Sequence, residues 1–236
     1  MRARAVILSA LVVLSSCSTA SNSMLQTLKL VASSRNSSAS ANLNPNFRYL
    51  RVTIAGRVAL LALGNEDIDT SGLVEVWYSA EREVLRLRNG RLVGAVGLTT
   101  EWRNVVMPEL PSWSALARGN QPYRWTRVRD VMPGYHFGLR DALSLRVISQ
   151  PRRSELQGLD PQSLTWFEEL VDAKQFAGNS LGASLTRGEI LPAARYAVDI
   201  RGGKEIVVYA EQCLSGDLCF SWQRWPADAQ STAGKK

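Results

Sequence analysis

From Tyr49 onward the chain runs in short apolar-rich stretches broken by glycine and small polar residues, the pattern of β-strands joined by tight turns. Residues 49–54 and 58–63 are separated by Ala55-Gly56 and predict a hairpin, and residues 73–79 predict a third strand. Residues 84–88 and 91–96 flank Asn89-Gly90, a pair that accepts positive φ and is the strongest short-range signal for a type I′ turn. A two-residue loop sets Arg88 opposite Arg91, Leu87 opposite Leu92 and Arg86 opposite Val93. Leucines then share one face while three arginines crowd the other. Residues 123–128, 143–148, 196–200, 205–210 and 220–225 read as further strands, with Gly202-Gly203 as a turn.

One segment carries both patterns. Asp160-Pro161 resembles an N-cap and first-turn proline, and Leu164, Phe167, Leu170 and Val171 fit a helical face, whereas Trp166-Phe167-Glu168-Glu169 fits a strand. The periodicity leans to helix over residues 160–173. The expected fold is mainly β, with antiparallel sheets forming a sandwich or a barrel-like single domain over residues 47–226.

The first residues are an address. Arg2 and Arg4 precede an apolar run over residues 6–16, well short of the roughly 20 residues that span a bilayer, so residues 1–16 read as a signal peptide. The run ends Leu14-Ser15-Ser16-Cys17, which resembles the bacterial lipobox and implies lipidation of Cys17, with three acyl chains on the mature residue. Ser18 follows in place of the aspartate that retains lipoproteins at the inner membrane, so the expected location is the periplasmic face of the outer membrane. Residues 17–46 form a tether rich in Ser, Ala and Asn. Within it, Met24, Leu28 and Val31 share one face of a short helix expected over residues 23–31. Residues 227–236 are small, polar and unpatterned and read as a disordered tail.

Composition narrows the chemistry. The 236 residues carry 28 basic and 21 acidic side chains, a net charge of +7, with a single histidine and three cysteines. Metal sites and Ser/His or Cys/His nucleophile systems need such residues to converge, so no metal and no cofactor is implied and an enzyme is disfavoured. Cys213 and Cys219 flank the turn Ser215-Gly216-Asp217, and in an oxidising compartment the pair favours a disulfide over free thiols or half a metal site.

The stretch Val76-Trp77-Tyr78-Ser79-Ala80, followed by Leu85-Arg86-Leu87-Arg88-Asn89-Gly90-Arg91-Leu92 and Gly97-Leu98, resembles the YjbF family of group 4 capsule and exopolysaccharide lipoproteins. The clear part of the resemblance covers residues 49–102, and the lipobox agrees with it. The resemblance implies an outer-membrane lipoprotein of largely β fold that works with polysaccharide-export envelope proteins and has no established catalytic residues.

Charge is regional: residues 82–153 hold 13 arginines against five acidic residues. Aromatic residues interleave with them, which suits an acidic polysaccharide, since rings stack on sugar faces and guanidinium groups fork onto carboxylates. Arg86, Arg88, Arg91, Arg124, Arg127 and Arg129, with Trp125, are the candidate anionic-ligand residues. In the competing reading the rings are core and the arginines are a solvated face or contacts to lipid headgroups. Nucleic acid is excluded by location.

Asp67-Ile68-Asp69-Thr70-Ser71-Gly72 begins like a calcium loop, but Tyr78 stands where the bidentate glutamate belongs, so an acidic turn is expected. His136 reads as a packed or hydrogen-bonded residue. Glu168 and Glu169 could serve a glycoside hydrolase only by converging, and neighbours on a strand point to opposite faces. The leading function is a non-catalytic accessory in polysaccharide export. The alternatives are a scaffold that binds another envelope protein through a sheet edge or apolar patch, and, behind it, a periplasmic glycoside hydrolase.

Overall fold

The computed structural model describes residues 43–69, 72–172, 190–203 and 205–227. Twelve strands run β1 (Tyr49–Ile54), β2 (Arg57–Asp69), β3 (Gly72–Tyr78), β4 (Val84–Arg88), β5 (Arg91–Val96), β6 (Glu101–Val106), β7 (Tyr123–Met132), β8 (His136–Ile148), β9 (Thr165–Val171), β10 (Ala194–Asp199), β11 (Ile206–Cys213) and β12 (Cys219–Trp225). Each pairs antiparallel with its sequence neighbours, and β1 pairs with β12, closing a barrel whose β5–β6 seam is held by the single pair Ala95 and Trp102. The signal peptide, Cys17, the helix expected over residues 23–31 and most of the tail lie outside the described residues.

Strong local signals land where the sequence puts them: β1, β4 and β5 have the expected bounds. Gly90 takes φ +77°, and a Cβ there would lie 2.4 Å from Val207 Cβ, so this turn needs glycine for both backbone conformation and close packing. Arg88 faces Arg91 and Leu87 faces Leu92 as expected, but a bulge then sets Arg86 opposite Gly94 rather than Val93.

The leaning to helix over residues 160–173 is overturned. Asp160 caps only a single 3-10 turn, Pro161–Ser163, and the chain continues as β9. Both faces of β9 are buried: Phe167 belongs to the main core with Leu50, Trp77, Leu87 and Trp222, while Trp166 packs with Leu164, Val208 and Tyr209 in a smaller cluster on the opposite face. Apolar residues on both faces imitate helical spacing. The connection between β8 and β9 covers the smaller cluster with Leu156 and Leu159. It is strapped down by Gln157 N–H donating to Gln223 Oε1 (2.9 Å) and Gln223 Nε2 donating to Gln157 O (2.6 Å).

A six-residue helix, α1 (Trp113–Arg118), interrupts the route from β6 to β7, its N-terminus capped by Ser112 Oγ accepting from Ala115 N–H. Its Trp113 ring lies 4.8 Å from Phe167 and 5.2 Å from Tyr196 between centroids, and its indole N–H donates to Asn89 O. Strand alternation places the entry of the chain at Leu43, the Asn89-Gly90 turn, α1 and Trp225 at one end of the barrel, here called the tether end. Ala55-Gly56, the tip of the β7–β8 hairpin and the Cys213–Cys219 turn lie at the far end.

Candidate functional site

Arg127 and Arg129 lie two apart on β7 and therefore share a face, and Arg127 sits directly opposite Asp141 of β8. That face is the interior. Asp141 Oδ2 accepts from Arg127 Nε (2.9 Å) and Arg129 Nε (2.8 Å), and Oδ1 accepts from Arg129 Nη2 (3.2 Å). Both guanidinium groups also lie over the Trp102 ring, at 4.6 and 5.1 Å from its centroid.

Glu169 extends the network: Arg127 Nη1 lies 3.8 Å from its Oε1, which also accepts from the Tyr196 hydroxyl at 3.4 Å. Arg91 stacks on Trp113 at 3.8 Å and reaches Tyr196 at 5.9 Å. Three arginines and two carboxylates thus share the interior. Burial pushes Glu169 above the ordinary carboxylate range despite the nearby arginines, lowers Arg91, and raises the Tyr196 hydroxyl. Glu169 Oε2 and Arg91 Nε and Nη2 have no hydrogen-bond partner among the described residues. A cavity of about 20 Å³ beside Glu169, Arg127 and Gln212 has room for one water and no more.

The seven candidate anionic-ligand residues do not form one surface. Arg88, Arg91, Arg127, Arg129 and Trp125 are buried. Arg124 is exposed on β7, and Arg86 is part-exposed, 3.5 Å from the Asp67 carboxylate. Cys213 and Cys219 are paired in register and joined by a disulfide. His136 is exposed rather than packed, at the far-end hairpin between Tyr135 and Phe137, whose own exposures are 75% and 65%. Glu168 and Glu169 diverge: Glu169 lies in the interior, while Glu168 accepts from Arg146 on the other face. Among the described residues no three His, Cys, Asp or Glu side chains gather as a metal site.

Sequence reasoning missed a second constellation, at the tether end. Arg224 of β12 donates through Nη1 and Nη2 to both Glu75 oxygens (2.9 and 2.7 Å) and through Nε to Val207 O (3.0 Å). This pair joins residues 149 positions apart, so only barrel closure brings it together. It borders a cavity of about 610 Å³ enclosed by the incoming segment at Leu43, Pro45 and Phe47, by Tyr49 and Trp225, and by the Asn89-Gly90 turn. Tyr49 and Trp225 are direct cross-strand partners, and Phe47 meets Tyr49 edge to face. Glu205 also reaches the wall. Burial alone would raise its carboxyl, but hydrogen bonds from Ser114, Ser112 and the Trp113 backbone N–H at the start of α1 hold it low.

Two comparisons place the chain among known proteins. The family described as group 4 capsule polysaccharide lipoprotein gfcB, YjbF matches over residues 32–178. The crystal structure of the hypothetical lipoprotein YmcC from Escherichia coli (K12) shares the fold with a TM-score of 0.50 at 17% identity, covering 87% of this chain and 93% of that one. No curated protein matches. No helix among the described residues is long and apolar enough to cross a membrane.

Proposed function

Since this chain belongs to the group 4 capsule polysaccharide lipoprotein family, we propose that it is held at the periplasmic face of the outer membrane by lipid on Cys17. There it serves capsule or exopolysaccharide export as a non-catalytic accessory. The observation that carries the non-catalytic part is the closed interior: Asp141 and Glu169 are buried among Arg91, Arg127 and Arg129, beside a cavity with room for one water. Paired carboxylates so enclosed cannot straddle a glycosidic bond. Their arginines hold the barrel wall together, and acidic units of the polymer are left to the exposed Arg124 and to the part-exposed Arg86, which borders Asp67. Other envelope proteins of the export apparatus are the expected neighbours.

Membrane fractionation of cells making the full chain tests the anchoring. The wild type should band with outer membrane, and Cys17→Ser should move to the soluble periplasmic fraction. Wild-type protein in the inner membrane, or an unchanged distribution of the variant, would contradict this reading. Polymer contact is tested by retention of the purified protein on immobilised host polysaccharide, which Arg86→Ala/Arg124→Ala should weaken at low salt.

A further inference from the structure

We infer that the barrel interior at the far end takes the acyl chain of a single-chain zwitterionic phospholipid whose head group stays at the mouth, an inference that goes beyond the export reading and stands apart from it. A cavity of about 250 Å³ opens there, separate from the arginine cluster. Strand alternation sets its lining. Val52 and Ile54 of β1 share a face with the buried Leu50, and across the ladders they meet Ala59 of β2 and Phe220 of β12, with Leu61 one pair further in. Polarity is graded. Val52, Leu61, Leu85 and Phe220 are buried, Ile54, Ala59 and Leu98 are half-buried, and the polar lining residues come from turns and strand ends. None of the buried polar atoms left without a partner among the described residues belongs to this wall, so its depth receives only apolar groups.

The mouth is built before any ligand arrives. Ser79 Oγ accepts from Glu81 N–H (3.2 Å) and Glu83 N–H (3.0 Å), and its hydroxyl donates to the Glu83 carboxylate. Gly97, at φ +87°, packs so closely on this turn that a Cβ would come within 3.0 Å of Glu83 Cα. Glu83 is thereby committed. Arg57 and Glu81 are exposed, and neither side chain makes an ion pair or hydrogen bond among the described residues. A free cation and a free anion at one mouth match a head group carrying both charges, its phosphate on Arg57 and its ammonium on Glu81. A fatty-acid carboxylate would instead meet two carboxylates beside its one cation. The volume falls just below the roughly 300 Å³ at which sites enclosing a whole small molecule begin, which suits one chain entering with its head left outside.

The test uses the wild-type full chain in phosphatidylglycerol vesicles, with no detergent to compete for the cavity. Lysophosphatidylethanolamine and a free fatty acid of the same chain length, each with a diazirine at the chain end, are added separately and irradiated, and adducts are mapped by mass spectrometry. The lysophospholipid should label the peptides holding Val52, Leu61, Leu85 and Phe220, should be displaced by its unlabelled form, and should label more than the fatty acid. Ala59→Phe fills the cavity from its wall, and Leu98→Glu places a charge at its entrance from a turn, so one remains informative if the other fails to fold. Each should lose this labelling while melting like the wild type. Adducts confined to the outer face of the strands, labelling undiminished in a folded variant, or stronger labelling by the fatty acid would overturn the inference.

Discussion

Gln212 of β11 holds the backbone around Leu92 of β5 from across the barrel: its Oε1 accepts from Leu92 N–H at 3.0 Å and its Nε2 donates to Gly90 O at 3.1 Å. β5 needs this partner because its ladder to β6 is reduced to the single pair Ala95 and Trp102. One buried side-chain amide therefore does for Gly90 and Leu92 what a neighbouring strand does elsewhere. Gln212→Leu would leave a buried N–H and C=O without partners, at a cost of about 2–4 kcal/mol. Urea unfolding should show the midpoint falling at unchanged slope.

Gly90→Ala should destabilise more than its one carbon suggests. The left-handed φ costs a non-glycine residue about 1–2 kcal/mol, and the added Cβ would overlap Val207. Asn89→Gly keeps the turn conformation and should leave the melting temperature within a few degrees of the wild type. Comparing the two by calorimetry separates the packing requirement from the turn requirement.

The stack of Arg91 on Trp113 ties α1 to the barrel interior. Trp113→Ala would remove the ring that meets Arg91, Phe167 and Tyr196, and should cost about 3–5 kcal/mol. Trp113→Phe should recover part of that loss, because a smaller ring face remains while the indole N–H to Asn89 O is gone. Thermal unfolding of the two variants checks the order.

Glu169 sets a pH dependence of known sign. Its folded pKa is raised, chiefly by burial, so the folded state binds the proton more tightly than the unfolded chain. Its contribution to stability is fully present below the unfolded pKa and is lost as pH rises through the folded value. Glu169→Gln should flatten this dependence, so its stability relative to wild type should improve from pH 4 towards neutrality. Unfolding midpoints measured across that range would contradict the account if the difference ran the other way.

How much of this was legible depends on how many faces of a strand are covered. β1, β4 and β5 were readable because turn residues bound them, and Asn89-Gly90 fixed the first two pairs of its hairpin. β6 was invisible because a bulge near Trp102 breaks period-2 alternation, so Trp102 and Val105, three apart, are both buried. β9 imitated a helix because it packs on both faces. The shared face of Arg127 and Arg129 followed from their spacing, but spacing cannot say whether a face turns in or out. Asp141 and the Trp102 ring decide that, and both become neighbours only through strand pairing. The tether-end cavity draws on Phe47, Glu75, Asn89, Glu205 and Arg224, which no local pattern connects. The Cys213–Cys219 pairing was legible because its turn is local.

The proposed role of this lipoprotein is export of a surface polysaccharide from an outer-membrane anchor. Its most direct test is the amount of polysaccharide at the surface of cells lacking the chromosomal copy, complemented by wild type or by Cys17→Ser. Deletion should cost the cells their surface polysaccharide, the wild type should restore it, and the Cys17→Ser variant should fail to do so despite a folded barrel at comparable abundance. Unchanged surface polysaccharide in the deletion strain would contradict the role in export, and full recovery with Cys17→Ser would contradict the anchor.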